Sequence, residues 1–134
     1  MPREHIDRAA DRHGVPRHVL RSMARVESTN DTRAVSKKGA RGEFQVMPAT
    51  AREMGYSPED MHDPEKGAEA GARYVRKMYD RFGDWDSAIE AYNAGPARVA
   101  YRKKKGIPLP AETREHLAKI KATQAAEALR KAAR

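Results

Sequence analysis

Glu27 is the residue whose type and position point most directly to chemistry, because it lies where a helical pattern gives way to a polar loop. Before it, Val19, Leu20, Met23 and Val26 recur at helical spacing, which predicts a helix with one buried face. A carboxyl group at the C-terminal end of a helix faces the negative end of the macrodipole, which favours the protonated form. Such a group is suited to act as a general acid, although most glutamates in this position are surface residues that end a helix.

The segment after Glu27 must form the surroundings of any site there. A polar loop leads to the glycine-punctuated turn Gly39-Ala40-Arg41-Gly42, and Phe44-Gln45-Val46-Met47 follows ahead of Pro48. Residues 40–46 carry the only strand-like signal in the chain, and that signal is short. We therefore expect at most a minimal β element near residues 40–46.

The rest of the chain is predicted to be helical, because apolar residues recur every three or four positions between Gly and Pro interruptions. Asp84 or Asp86 is expected to cap one of these helices. The pattern indicates an all-α fold of six to eight short helices around one core. The predicted helices begin near Pro2, Pro16, Pro48, Pro64, Asp86, Ala97 and Ala111, with a short helical piece around Met61.

Length and composition suit one domain with a modest core, since the chain has 134 residues, 39% hydrophobic and 34% charged. We expect residues 1–121 to form the domain, and residues 122–134 to form a basic Ala/Lys/Arg-rich tail that is either a frayed helix or disordered. No apolar run approaches the roughly 20 residues needed to span a bilayer. The first residues lack the apolar stretch of a secretory signal peptide.

Cysteine is absent, which excludes disulfides and thiol catalysis. The five histidines show no metal-ligand spacing, so neither a metal nor another cofactor is expected. The net charge of +8 favours an anionic partner, namely nucleic acid, a membrane surface or an acidic polymer such as a cell wall. Charge alone does not choose among them.

Several separated segments resemble one family, the catalytic domain of soluble (Slt-type) lytic transglycosylases, which has a lysozyme-like α fold. A lone Glu-Ser pair would be a weak signal, whereas this ordered set is specific, and it covers about residues 16–121. The matching segments are Val26-Glu27-Ser28, Ser36 to Gly42 (SKKGARG), Gln45 to Ala51 (QVMPATA), Asp63-Pro64, Gly71 ahead of Tyr74-Val75, Ala91 to Pro96 (AYNAGP) and Pro110 to Arg114 (PAETR).

The resemblance implies cleavage of the β-1,4 bond between N-acetylmuramic acid and N-acetylglucosamine in peptidoglycan, with formation of a 1,6-anhydro end. Glu27 matches the single acid/base of the family, and Ser36 matches a residue that positions the N-acetyl group of the substrate. One glutamate suffices when the substrate supplies its own nucleophile, whereas ordinary glycosidases need two carboxylates. Further residues match or are assigned to the substrate cleft: Gln45, Met47, Tyr92, Asn93 and Glu112.

Two positions depart from the family pattern. Glu43 stands where the family has an apolar residue, and we expect it to point to solvent. Alternatively it disfavours ionisation of Glu27 by like-charge repulsion, or it holds a water as a second substrate-contacting carboxylate, which would give hydrolysis. Asp31 is a weaker candidate for the same role. His116 replaces a frequent aromatic residue, and Tyr92, apart from the family, fits core packing on its helix.

Two other functions stay open at this point. One is a lysozyme-type peptidoglycan hydrolase that uses water as nucleophile. The other is a non-catalytic basic module that binds nucleic acid through Lys103 to Lys105 and the tail, but no aromatic residues interleave the basic ones, so nucleic acid is not expected. We expect a monomer that acts on glycan strands in the periplasm, outside the cell, or after delivery by a phage.

Overall fold

Helices make up most of the protein in the computed structural model, which describes residues 3–133. The α-helices are α1 (Glu4–His13), α2 (Arg17–Ser28), α3 (Pro48–Glu53), α4 (Pro64–Phe82), α5 (Trp85–Ala94), α6 (Pro96–Lys105) and α7 (Ala111–Ala132), and a 3-10 helix spans Pro58–His62. Residues 3–133 contain no sheet, and two isolated antiparallel bridges pair Arg41 with Val35 and Val46. The predicted all-α fold with a minimal β element is confirmed. The predicted helix start at Pro2 lies outside the described residues.

The described residues form two compact units, with the boundary between Tyr74 and Val75 inside α4. In the first unit, α1 packs against α2. Each helix buries the apolar stripe that its sequence predicts, Ile6, Ala9 and Ala10 on α1 and Val19, Leu20 and Met23 on α2. Phe44, Val46 and Met61 complete this core between the helices.

Polar contacts reinforce the packing of α1 within the first unit. Asp7 accepts hydrogen bonds from Arg21 of α2, with an Nε–Oδ1 distance of 2.8 Å. On the side facing α4, Glu69 accepts hydrogen bonds from Arg12 and contacts His13. Helix α1 is thus held by charged or polar side chains as well as by its apolar stripe.

In the second unit, α5 packs against α6 and α7. The Asp84 carboxylate accepts the Ser87 N–H at 2.7 Å, so Asp84 rather than Asp86 caps α5. Burial raises the pKa of Asp84, but hydrogen bonds from the Ser87 backbone and hydroxyl outweigh burial and hold that pKa below its ordinary value. The cap fixes the start of the helix that carries Tyr92 and Asn93.

Helix α7 continues well beyond its contact with α5. Its buried residues are Thr113, Leu117 and Ile120, and all lie in the first half of the helix. Residues 122–132 are helical although none of them is buried, so the segment predicted to be frayed or disordered has regular structure; Arg134 lies outside the described residues. Among residues 3–133, no helix combines the length and apolar character required to cross a membrane.

Candidate active site

Glu27 lies in the last turn of α2 with its side chain partly exposed, as the sequence predicts. The helix ends sharply after it, because Thr29 and Asn30 both adopt left-handed backbone conformations, with φ of 55° and 62°. Two consecutive non-glycine residues in this region are uncommon. Their N–H groups bond to the carbonyls of Arg25 and Ala24, which closes the helix and presents Glu27 at its rim.

Ser28 connects the end of α2 to the turn formed by residues 40–46. Its hydroxyl donates a hydrogen bond to the main-chain carbonyl of Glu43 at 2.8 Å and accepts one from the Asp31 N–H at 3.0 Å. The residue that follows Glu27 therefore fixes the distance between the helix end and the turn. This explains physically why the segment needs a Glu-Ser pair rather than a glutamate alone.

Gly42 is required where the turn meets the rest of the first unit. Its φ is +80°, and a Cβ atom built there would lie 1.8 Å from the carbonyl oxygen of Met61. The buried ring of Phe44 lies against Gly71 of α4, where an added Cβ would come within 2.9 Å of the ring. Backbone and ring thus approach their neighbours as closely as glycine allows, which leaves the turn little freedom to move.

Gln45 braces the turn from within. Its φ is 49°, and its Nε2 donates hydrogen bonds to the carbonyls of Gly42 at 2.9 Å and Ala34 at 3.2 Å. The amide nitrogen of this predicted cleft residue is therefore engaged with the turn backbone. The left-handed backbone is held by contacts that only a long amide side chain makes.

Ser36 precedes the turn at residues 40–46, and Met47 follows it directly. The Ser36 Oγ accepts the Ala40 N–H at 3.0 Å and, among the described residues, its own hydroxyl hydrogen is not donated to another group. Met47 is 39% exposed directly before α3, and Val35 beside Ser36 is 58% exposed. These are the large exposed apolar side chains in the described part of the first unit. A hydroxyl donor and an apolar surface therefore flank the turn.

Glu43 does not point to solvent, and that prediction is wrong. The residue is 4% exposed; its Oε1 lies 2.7 Å from His5 Nε2, and its Oε2 accepts a hydrogen bond from Asn30 Nδ2 at 3.1 Å. A carboxylate oxygen accepts, so the His5 Nε2 carries the proton in this contact. The physical reason for the error is that α1 brings a donor to a position where the family has an apolar residue.

His5 and Asn30 are partners that sequence reasoning missed. His5 and His13 lie on the side of α1 that buries Ala9, since each is four residues from Ala9. A histidine on a buried helix face needs a hydrogen-bond partner, so this periodicity was the available signal. It would not have identified Glu43, which lies 38 residues away.

The remaining predicted residues lie in the second unit. Tyr92 is half-buried and Asn93 is exposed, and both are in the last turn of α5. Glu112 is exposed in the first turn of α7, with His116 half-buried one turn later. The structure thus places Glu43 and Gln45 in the turn at residues 40–46, with Ser36 and Met47 beside it in sequence, and Glu43 links this turn to the end of α2 that carries Glu27. Within residues 3–133, no cluster of three or more acidic or histidine side chains is arranged to hold a metal ion.

The fold agrees with comparisons to known proteins. Residues 4–108 match the family model described as the transglycosylase SLT domain, and the chain belongs to this family. The match begins with α1, before residue 16, where the predicted coverage starts, and it ends before the segment that starts at Pro110. The predicted coverage of about residues 16–121 is therefore shifted toward the C-terminus.

Individual relatives carry the same family name. The chain is 33% identical over 92 residues to the transglycosylase of Enterobacteria phage PRD1, which covers 69% of this chain and 34% of that protein. It is 38% identical over 96 residues to the soluble lytic murein transglycosylase of Escherichia coli K12, which covers 63% of this chain and 15% of that protein. The chain thus spans about a third or less of the length of these relatives.

Solved structures show the same lysozyme-like all-α fold. The 70 kDa soluble lytic transglycosylase of Escherichia coli has a TM-score of 0.82 and 29% identity, covering 91% of this chain and 23% of that one. An inactive glutamate-to-glutamine mutant of the lytic transglycosylase Slt from Pseudomonas aeruginosa has a TM-score of 0.80 and 28% identity, with coverage of 91% and 23%.

Proposed function

We propose that this protein is a lytic transglycosylase that cleaves the MurNAc-β-1,4-GlcNAc bond of peptidoglycan and forms a 1,6-anhydro end. The observation that carries the proposal is the presentation of Glu27 at the sharp end of α2, joined through Ser28 to the turn at residues 40–46. Family membership supports the substrate class. The inactive glutamate-to-glutamine mutant of a structural relative supports a reaction that depends on one carboxyl group.

In the proposed reaction, Glu27 acts first as acid and then as base. Its carboxyl group donates a proton to the glycosidic oxygen as the bond from that oxygen to the anomeric carbon breaks. The resulting carboxylate accepts the proton of the muramyl 6-hydroxyl, whose oxygen attacks the anomeric carbon and closes the anhydro ring. The proton returns to Glu27, no water is consumed, and no second protein carboxylate is needed.

The surroundings of Glu43 support this outcome over hydrolysis. A hydrolase of the ordinary kind needs a second carboxylate that activates water or stabilises the anomeric carbon. Both carboxylate oxygens of Glu43 are engaged, by His5 and by Asn30, and the side chain is buried. Asp31 remains the exposed acid nearest to Glu27 in sequence, and its Oδ1 accepts the Arg33 N–H at 2.9 Å.

The turn offers groups that suit an amino sugar. The Ser36 hydroxyl hydrogen is available to the carbonyl of the N-acetyl group, which matches the role that the family resemblance implies. The exposed Val35 and Met47 side chains can contact the apolar face of a sugar ring. In the second unit, the family resemblance assigns Tyr92, Asn93 and Glu112 to substrate binding. The carbonyl oxygen of the Gln45 amide completes this set.

The site of action in this proposal is the cell wall, and the protein acts as a monomer. The similar transglycosylase of phage PRD1 supports a phage source for this chain. The formal charge of +8 then favours approach to acidic wall polymers rather than binding of nucleic acid.

Mass spectrometry of fragments released from purified peptidoglycan tests the proposal. We expect products one water lighter than hydrolytic ones, and a loss of about 10²–10⁴-fold or more in turnover for Glu27→Gln at unchanged melting temperature. Glu53→Gln is the matched control, because Glu53 is an exposed glutamate that also lies at the C-terminal end of a helix, and it should retain turnover. Reducing-end products would instead establish a hydrolase and make Asp31→Asn the next variant. Absence of any product from the wild type would refute the proposal.

A further inference from the structure

Glu43 connects three separate segments of the first unit. Its carboxylate contacts His5 of α1 and Asn30 of the loop after α2, and its main-chain carbonyl accepts the Ser28 hydroxyl hydrogen. Glu43 itself is 4% exposed, and its three contacts are partly buried. Buried polar groups fixed on every side hold their neighbours more rigidly than an apolar residue of similar size, since hydrogen bonds are directional.

Two of these contacts flank Glu27 along the chain. Ser28 follows it directly, and Asn30 lies three residues beyond it in a left-handed conformation. The Asn30 N–H closes α2 on the Ala24 carbonyl at 3.3 Å, while its side-chain amide reaches Glu43. Glu43 is therefore connected to the end of α2 by one bond to its carboxylate, from Asn30, and one to its main-chain carbonyl, from Ser28.

We propose that Glu43 is a positioning residue that fixes the end of α2 and thereby the orientation of Glu27. The proposal deepens the lytic transglycosylase function and, as far as it concerns turnover, rests on it. Glu43 acts through hydrogen bonds to Asn30 and Ser28 and does not itself touch the sugar. The acid at a family-apolar position is then a chain-specific way of stabilising the helix end.

Conservative and disruptive variants separate positioning from a role of charge. In Glu43→Gln, the introduced amide can accept from His5 through its oxygen and donate to the Asn30 oxygen once the Asn30 amide rotates. In Glu43→Leu, both partners lose their hydrogen bond. A positioning role therefore predicts that Glu43→Gln retains kcat within about three-fold while Glu43→Leu loses about ten-fold or more, because small misplacements of a reacting group are costly.

Glu69 provides the matched control for the histidine contact. Its Oε1 lies 2.5 Å from Nε2 of His13, which is also on α1, but its partners are the α1 residues Arg12 and His13 and none of them is at the end of α2. We expect Glu69→Leu to lower the melting temperature and leave kcat within about two-fold of the wild type. A merely structural role of Glu43 would make both leucine variants behave alike.

Asn30→Gly tests the link without removing a buried acid. Glycine retains the left-handed backbone and removes only the amide that reaches Glu43. Thr29→Gly is its control, since Thr29 has the same backbone conformation without a side-chain bond to Glu43. We expect Asn30→Gly to lower kcat about five-fold or more with KM nearly unchanged, and Thr29→Gly to leave both unchanged. This pair keeps the proposal testable if Glu43→Leu does not fold.

The closing experiment combines kinetics on purified peptidoglycan with amide hydrogen exchange of the folded variants. We expect the amides of Thr29, Asn30 and Asp31 to exchange about ten-fold faster in Glu43→Leu and Asn30→Gly than in the wild type, and no faster in Glu69→Leu. Wild-type kcat together with unchanged exchange in the Asn30 and Glu43 variants would overturn the proposal. If the wild type itself cleaves nothing, the proposed function fails, and exchange alone then decides whether Glu43 fixes the helix end.

Discussion

The two units each bury one acidic side chain among the described residues, Glu43 in the first and Glu90 in the second. Glu90 of α5 forms a bidentate ion pair with Arg102 of α6, with both N–O distances 2.7 Å. Glu43 has instead two partners, the imidazole of His5 on α1 and the side-chain amide of Asn30 in the loop after α2. The two acids thus solve the same burial problem with different chemistry.

The difference follows from what each acid holds together. The pair of Glu90 and Arg102 joins two regular helices, and a guanidinium suits this because it is permanently charged and matches a carboxylate with two parallel bonds. The hydrogen bond with Glu90 raises the pKa of Arg102 above its ordinary value. Glu43 holds irregular backbone beside Glu27, where two separate donors reach two separate oxygens. Glu90 thus connects two helices of the second unit, whereas Glu43 contacts the irregular backbone that follows Glu27.

The two units also differ in their net charge. Residues 1–74 contain 13 Lys or Arg and 12 Asp or Glu, while residues 75–134 contain 14 and 7. The formal charges are therefore +1 and +7 of the total +8. Most of the excess positive charge therefore belongs to the second unit, whereas the first unit, which contains the proposed acid/base Glu27, has a net charge of only +1.

Gly42→Ala should disrupt the turn of the first unit that contains Glu43, and we expect it to have the largest effect on stability. The new Cβ would overlap the Met61 carbonyl and occupy a left-handed backbone, so we expect a loss of at least about 4 kcal/mol in unfolding free energy or failure to fold. Gly55→Ala is the control, since its φ is +90° with no atom within 4 Å of the new Cβ. It should cost only about 1–2 kcal/mol in urea denaturation. Equal losses would show that the close approach to Met61 is unimportant.

Glu90→Leu should disrupt the Glu90–Arg102 pair of the second unit, and we expect its effect on stability to be intermediate. It leaves the half-buried Arg102 guanidinium without its acid, and we expect a loss of about 3 kcal/mol. The double variant Glu90→Leu/Arg102→Leu should recover most of this loss, because no charge then remains unpaired. Thermal denaturation of the two single variants and the double variant measures the coupling. A double variant as unstable as the sum of the singles would contradict a paired scaffold role.

Glu69→Gln should sharpen the comparison through a small effect of pH. Burial raises the pKa of Glu69, but hydrogen bonds from Arg12 and His13 outweigh burial and bring that pKa below its ordinary value near 4.5. The stabilisation is present above that value and is lost as pH falls through the lower pKa of the folded state. Because Glu69→Gln lacks this carboxylate, the loss of unfolding free energy between pH 7 and 3 should be smaller in the variant by under about 1 kcal/mol. If the loss of unfolding free energy at low pH is the same in the variant and the wild type, other carboxylates are responsible for it.

Much of the fold could be predicted because it depends on local pattern. The helical spacing before Glu27, the Asp84 cap and the short bridges near Arg41 all depend on neighbours within a few residues. The burial of Glu43 could not be predicted in this way, since its partner on α1 is distant in sequence. Gln45 shows the same limit, because residue type alone does not tell whether an amide faces a ligand or its own backbone.

Helix α1 determines where this SLT domain can be trimmed or transplanted. Its ten residues carry none of the family motifs, yet they supply histidines to Glu43 and Glu69. A fragment that starts at Pro16 would retain Glu27 and every motif segment while leaving both acids without these donors and the apolar face of α2 uncovered. A protein engineer who grafts the domain onto another scaffold must therefore choose a boundary upstream of every recognisable signature.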